Sequence, residues 1–326
     1  MARRFLLSFL GVIFLLGTIT FVIVEPLAPQ FSGNVSFDEK IKFLRDRWGA
    51  LEASASNEKL TLVIGSSMAL NNLNTDILSG ELRRPFLNLG VWGMRTEDAQ
   101  TLALQVADRL PVRAIILSTQ FFEMRDEALT HFAIPDDVLS SYLRDGHLLG
   151  GIGSRDFYKA LRLRRNWTKA YSAPHAYTNV MFNNSGAVPL DINADQRDPS
   201  RWLPDQVFPT ICVHCMDEIE TTCRVVKARG IGFSVVLPPL AHWVRDKRPE
   251  VGALYEKRKI RLAAALKACQ VPLFVADERA DFDDSCFADF SHLNREGMRE
   301  MSDMVASWLG GRQDSPRRRI SCRPMP

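Results

Sequence analysis

Apolar residues along this chain fall into three patterns. The first is an unbroken run: residues 5–24 (FLLSFLGVIFLLGTITFVIV) carry no charge. As a helix this run is about 30 Å long, enough to cross the hydrocarbon core of a bilayer. The second is a set of short continuous runs at 60–64 (LTLVI), 85–89 (PFLNL), 114–118 (AIILS), 233–237 (FSVVL) and 272–275 (PLFV). The third is helical spacing, over 37–51 (Phe37, Ile41, Leu44, Trp48, Leu51), 67–79, 96–109, 217–229, 249–268 and 294–309, the last closed by Gly310 and Gly311. Strands that are apolar throughout, separated by amphipathic helices, indicate a parallel sheet covered on both faces. The pattern predicts a three-layer α/β/α domain of doubly wound type.

The remaining stretches set the organisation. Residues 1–24 read as an N-terminal anchor, 25–58 as a linker and lead-in helix, and 59–311 as the α/β domain. The rhythm breaks over 121–209, which reads as a large insertion after the third strand. It holds helical candidates at 136–144 and 155–169, the basic cluster Arg162, Arg164, Arg165 and Lys169, and a loop rich in Asn, Gly and Pro over 183–204. Residues 312–326 read as a disordered basic tail.

The chain of 326 residues is 46% hydrophobic and 24% charged, which excludes a disordered, collagenous or polytopic membrane protein. Its net charge of +3 comes from the ends, Arg3 and Arg4 before the apolar run and Arg317, Arg318, Arg319 and Arg323 at the tail. Without those six, 35 basic residues face 38 acidic ones, so the body is near neutral and gives no case for a nucleic-acid partner. Arg3 and Arg4 on one flank keep that side cytoplasmic and place the domain outside the cytoplasmic membrane. The run is longer than a signal-peptide core, and EPLAPQ after it is a poor cleavage site, so the expectation is an uncleaved single-pass anchor. Six cysteines in an oxidising compartment admit 15 pairings, among which sequence does not choose. Cys212-Val-His-Cys215 has the spacing of half a zinc site or a redox pair, but no second Cys/His pair at zinc spacing follows and no thioredoxin-like strand precedes it, so structural thiols or a local disulfide are expected. Nothing in the sequence asks for a metal or cofactor.

Chemistry gathers where strands end. After the first strand comes Gly65-Ser66-Ser67, after the second Asn88-Leu89-Gly90-Val91-Trp92-Gly93, after the third Ser118-Thr119-Gln120, and before the last helix Asp289-Phe290-Ser291-His292-Leu293-Asn294. In a parallel sheet these turns share one edge. Together they supply the parts for acyl transfer: a nucleophile, oxyanion donors, a base and its orienter. Ser67 is the candidate nucleophile, His292 the base and Asp289 the residue that fixes the imidazole tautomer. Gly93, the amide of Gln120 and Met68 at the helix start are candidate oxyanion donors. His242, Trp243 and Arg245, past the fourth strand, are candidate acceptor-site residues.

This set resembles the SGNH hydrolase superfamily, the GDSL-type lipases and esterases. Gly65-Ser66-Ser67 is similar to its Gly-Asp-Ser block, Asn88 to Gly93 to its second, and Asp289-x-x-His292 with the Leu-Asn-x-x-Gly continuation to its last. Ser66 replaces Asp, and Ser-Thr-Gln-Phe replaces the third block's Gly-x-Asn-Asp, with Gln120 at the Asn position. The resemblance spans about residues 60–120 and 230–309. It implies a parallel five-stranded flavodoxin-like sheet and a serine acyl-enzyme. The departures and the anchor resemble SGNH-like proteins of polysaccharide O-acetylation and the membrane-tethered protein of teichoic-acid D-alanylation. That likeness implies a membrane-anchored extracytoplasmic O-acyltransferase, or an acyl-transfer subunit, acting on a cell-envelope or secreted polysaccharide. Its implied partner is a multi-spanning membrane-bound O-acyltransferase. Two alternatives are an anchored esterase with water as acceptor and a non-catalytic glycan-binding protein on a degenerate SGNH fold.

Overall fold

In the computed structural model, which describes residues 2–19, 34–120, 123, 134–145, 181–191, 213–312 and 317–322, the five short apolar runs form one sheet. Its strands are β1 (Leu60–Gly65), β2 (Phe86–Asn88), β3 (Val112–Ser118), β4 (Gly232–Leu237) and β5 (Leu273–Val275). All neighbours pair in parallel, in the order β2-β1-β3-β4-β5. Every residue of β1 is buried, as a strand sandwiched between helices requires. Each buried aliphatic side chain contributes about 1.5–3 kcal/mol.

The chain divides into two compact units, one of residues 1–49 and 133–178, the other of 50–132 and 179–326. The first contains helix α1 (Ala2–Ile19), most of α2 (Val35–Asn57) and, after the gap in sequence, Asp136–Asp145. In it Phe37, Ile41 and Leu44 are buried, and the Arg45 guanidinium lies 5.6 Å from the centre of the Tyr142 ring. Along α1 the large apolar side chains are exposed, Phe14 at 78%. The expected span runs on to Val24, and residues 20–24 lie outside the described residues. Among the described residues no helix is long and apolar enough to cross a membrane.

The second unit holds the sheet. After β1 come α3 (Ser67–Asn72) and α4 (Thr75–Leu82), and after β2 comes α5 (Thr96–Ala107). With Asp136–Asp145 counted as α6, α7 (Val213–Ala228), α8 (His242–Lys247), α9 (Pro249–Ala268), α10 (Ala276–Arg279) and α11 (Arg295–Leu309) follow. Helix α4 packs on α11, while α7 packs between α5 and α9, giving the two outer layers. Strand order reverses between β2-β1 and β3-β4-β5, so the crevice at the carboxyl ends of β1 and β3 is the switch point where such sheets take ligands.

Two expectations are corrected. The helix expected over 67–79 is two, because Leu73 is extended and the Asn74 side chain accepts from Asp76 N–H, starting a new helix. Of the expected insertion over 121–209, only 123, 134–145 and 181–191 are among the described residues. Residues 181–191 belong to the sheet unit, where Asn88 N–H donates to Ser185 O (2.8 Å) and Val188 N–H to Leu70 O (2.9 Å). The basic cluster Arg162, Arg164, Arg165 and Lys169 lies outside the described residues. The tail is ordered in part: β7 (Arg318–Ile320) pairs in parallel with β6 (Ala280–Phe282), and a Cys286–Cys322 disulfide fixes it there. Cys223 and Cys269 remain thiols.

Candidate active site

The site begins at the turn that ends β1. Gly65 has φ +136°, and a Cβ there would meet Ser118 O at 2.2 Å. Only glycine permits this close crossing to β3. Ser66 then caps α3, its hydroxyl accepting from Met68 N–H at 3.2 Å. Ser67, the first helical residue, is half-buried between neighbours that are all buried. It is the one residue of this turn that is not fully enclosed.

Two other loops are fastened to this turn. Asn88, fully buried at the end of β2, donates to Ala69 O (2.7 Å) and Leu73 O (3.2 Å) and accepts from Gly90 N–H (2.8 Å). Val91 N–H donates to Gly65 O at 3.3 Å. Gly93 has φ +70°, a conformation that favours glycine, and no heavy atom lies within 4 Å of where a Cβ would be. Trp92 Nε1 donates to Asn71 Oδ1 at 3.1 Å. Asn71 lies four residues after Ser67, on the same face of α3.

The Asp289–His292 loop is the third part. Asp289 is 2% exposed, with Oδ2 2.5 Å from His292 Nδ1. Its Oδ1 accepts from Ser291 N–H (2.8 Å) and His292 N–H (2.7 Å). Burial, the largest single influence, pushes this carboxyl up. The His292 charge and the hydrogen bonds from His292 and Ser291 outweigh it and hold the group below the usual carboxylate range. An ionised Asp289 keeps the proton on Nδ1 and makes Nε2 the basic nitrogen. The loop joins the Ser67 helix through Asn72, which donates to Ser291 O (3.1 Å) and accepts from Leu293 N–H (2.8 Å). Ser67 and Asn72 open and close one helix, about 7.5 Å apart along its axis. Ser67, Gly93, Asp289 and His292 thus share one edge of the sheet.

Four of the expected site residues have partners of their own here. Gln120 is fully buried, and its Nε2 donates to Pro238 O (2.6 Å) and Pro239 O (3.3 Å). Its side chain ties the end of β3 to the end of β4 instead of facing the crevice. Met68 N–H is engaged by Ser66 Oγ, because a hydroxyl at that position suits a helix cap. His242 Nε2 pairs with Asp281 Oδ1 at 2.8 Å, and Arg245 pairs with Asp277. Both are held by carboxylates of the β5–β6 segment. Trp243 is half-buried, 6.0 Å from the Lys247 ammonium, and its N–H donates to Asp284 at 3.3 Å. Sequence reasoning missed Asn72 and Trp92; the Asn-Asn pair at the end of so short a helix was the available signal for Asn72. Among the described residues no group of His, Cys, Asp or Glu side chains could hold a metal ion.

No family model and no curated protein matches the chain. Several solved structures are similar to it at low identity. A carbohydrate acetylesterase, Est24, from Sinorhizobium meliloti is 14% identical, with 78% of this chain and 99% of that one covered at a TM-score of 0.36. A lipase/acylhydrolase from Enterococcus faecalis is 10% identical, over 79% and 98% of the chains, at 0.38. A GDSL-like lipase from Bacteroides thetaiotaomicron is 12% identical, over 83% and 99%, at 0.37.

Proposed function

We propose that this chain is a serine acyl-transfer enzyme anchored at a membrane by its N-terminal helix, with its site on the extracytoplasmic side. The observation that carries the reading is the buried Asp289 held on His292 Nδ1, in a loop locked to the helix that Ser67 opens. In the first half-reaction Ser67 Oγ bonds to the acyl carbon of an ester as its proton passes to His292 Nε2. The imidazolium returns that proton to the departing alkoxide, leaving an ester on Ser67. In the second, a hydroxyl attacks this ester, its proton passes to Nε2, and Ser67 leaves with a proton restored. With Gln120 and Met68 N–H engaged elsewhere, the Gly93 N–H is the remaining oxyanion donor of those singled out.

The acceptor we propose is a sugar hydroxyl of an envelope or secreted polysaccharide, and the acyl group acetyl. A multi-spanning membrane-bound O-acyltransferase is the proposed acyl supplier. The exposed apolar side chains of α1, preceded by Arg3 and Arg4, support the anchor. One observation favours a binding-only protein on the same fold: two of the three expected oxyanion donors are occupied. The test is full-length protein in detergent with p-nitrophenyl acetate, with and without an oligosaccharide acceptor. Acetylated oligosaccharide identifies a transferase, and p-nitrophenolate and acetate alone identify an esterase. No turnover by folded protein supports the binding reading.

A further inference from the structure

Asn72 is the only side chain among the described residues that bonds the main chain on both sides of His292. It is fully buried. Its Nδ2 donates to Ser291 O at 3.1 Å, and its Oδ1 accepts from Leu293 N–H at 2.8 Å. The residues it grips are separated from it by 219 and 221 positions in sequence, so the bracket is wholly tertiary. The same Nδ2 lies 3.5 Å from Sδ of Met68, the residue after Ser67. One planar amide therefore fixes the height of the His292 backbone against the first turn of α3. Asp289 fixes the other coordinate, the direction of the ring, through Nδ1.

We propose that Asn72 is a positioning residue that sets the separation between His292 and Ser67, an inference that rests on the acyl-transfer reading above. A primary amide suits the task because it offers a donor and an acceptor in one plane. Aspartate keeps the shape and the acceptor for Leu293 N–H, but it turns an oxygen toward Ser291 O, where the two repel. Alanine removes both bonds. Misplacing a base by about 1 Å can cost on the order of 100-fold in rate. Binding of a small ester depends little on where that base sits.

The test uses full-length Asn72→Asp and Asn72→Ala proteins, with p-nitrophenyl acetate as substrate and proton NMR of the imidazole as an independent readout. The expected result is a kcat lower by about 10- to 100-fold per folded molecule, with KM within about 2-fold of the parent. The downfield Nδ1–H signal, assigned by its loss in His292→Ala, shifts or broadens in both variants. A merely structural role would lower Tm and leave kcat per folded molecule and the imidazole signal unchanged, and that outcome overturns the proposal. If Asn72→Ala does not fold, the aspartate variant carries the test; if neither folds, the residue is structural and the proposal falls. If the parent protein shows neither turnover nor a fluorophosphonate adduct, the acyl-transfer reading fails by itself. The NMR signal still decides whether Asn72 sets the His292 geometry.

Discussion

The Cys286–Cys322 disulfide closes a loop over a sequence separation of 36 and ends just before the Asp289–His292 loop. Replacing both cysteines by alanine releases the tail without leaving a lone thiol. In the chain-entropy treatment a loop of that length removes about 13 cal/mol/K from the unfolded ensemble, or ~3.8 kcal/mol at 25 °C. The native contacts that remain on the tail are modest. They are the three-residue β6–β7 pairing, the Asp283 N–H to Ile320 O bond at 2.8 Å, the buried Ile320 side chain, the Cys322 N–H to Ser285 Oγ bond at 3.1 Å, and the Arg318–Glu300 and Arg319–Asp283 surface pairs. Exposed pairs of that kind contribute about 0–1 kcal/mol each and cannot replace the cross-link. Urea unfolding of the full-length protein, followed by tryptophan fluorescence, should show the double variant less stable by about 3–4 kcal/mol. With a slope near ~3 kcal/mol/M the midpoint falls by roughly 1.2 M. The parent protein in reductant should match the variant. A gap under about 1 kcal/mol, or non-reducing peptide maps with both cysteines as thiols, would refute the reasoning.

Two further outcomes follow from the site. Gln120→Leu leaves Pro238 O without its donor and should cost about 1–3 kcal/mol of stability. Its kcat per folded molecule should fall far less than the roughly 100- to 1000-fold expected for a lost oxyanion donor, a fall that would restore Gln120 to the oxyanion site. Asp289 has its carboxyl held below the unfolded value, so its contribution is full above about pH 4 and disappears as pH falls through the folded value. The stability difference between the parent and Asp289→Asn should therefore narrow from pH 5 to pH 2. A difference that stays constant or widens over that interval contradicts the assigned sign.

The sheet was legible because β1 to β5 are apolar on both faces, a pattern that survives without knowledge of neighbours. The four strand-end turns were legible for the same reason, since parallel strands put their carboxyl ends on one edge. What escaped depends on side chains reaching across the fold. Gln120 sits at the expected strand end, yet its partner is the carbonyl of Pro238, 118 residues on. Ser66 reads as a generic turn residue until it is seen to cap α3 and take the Met68 N–H. The break in the 67–79 helix was nearer to hand, because Asn74-Thr75-Asp76 has the composition of a helix start. Residues 181–191 have no periodicity, and they join the core through polar contacts such as Ser185 Oγ to Asp76 Oδ1 at 2.6 Å. The tail looked disordered because its basic composition hides a cysteine whose partner is one of many.

The proposed role of Ser67 is tested most directly by exposing folded full-length protein to a fluorophosphonate probe and mapping the modified peptide. The account predicts one adduct, on Ser67, lost in Ser67→Ala and much slowed in His292→Ala while thermal stability changes little. An adduct that persists in Ser67→Ala, or none on the folded parent protein, contradicts it.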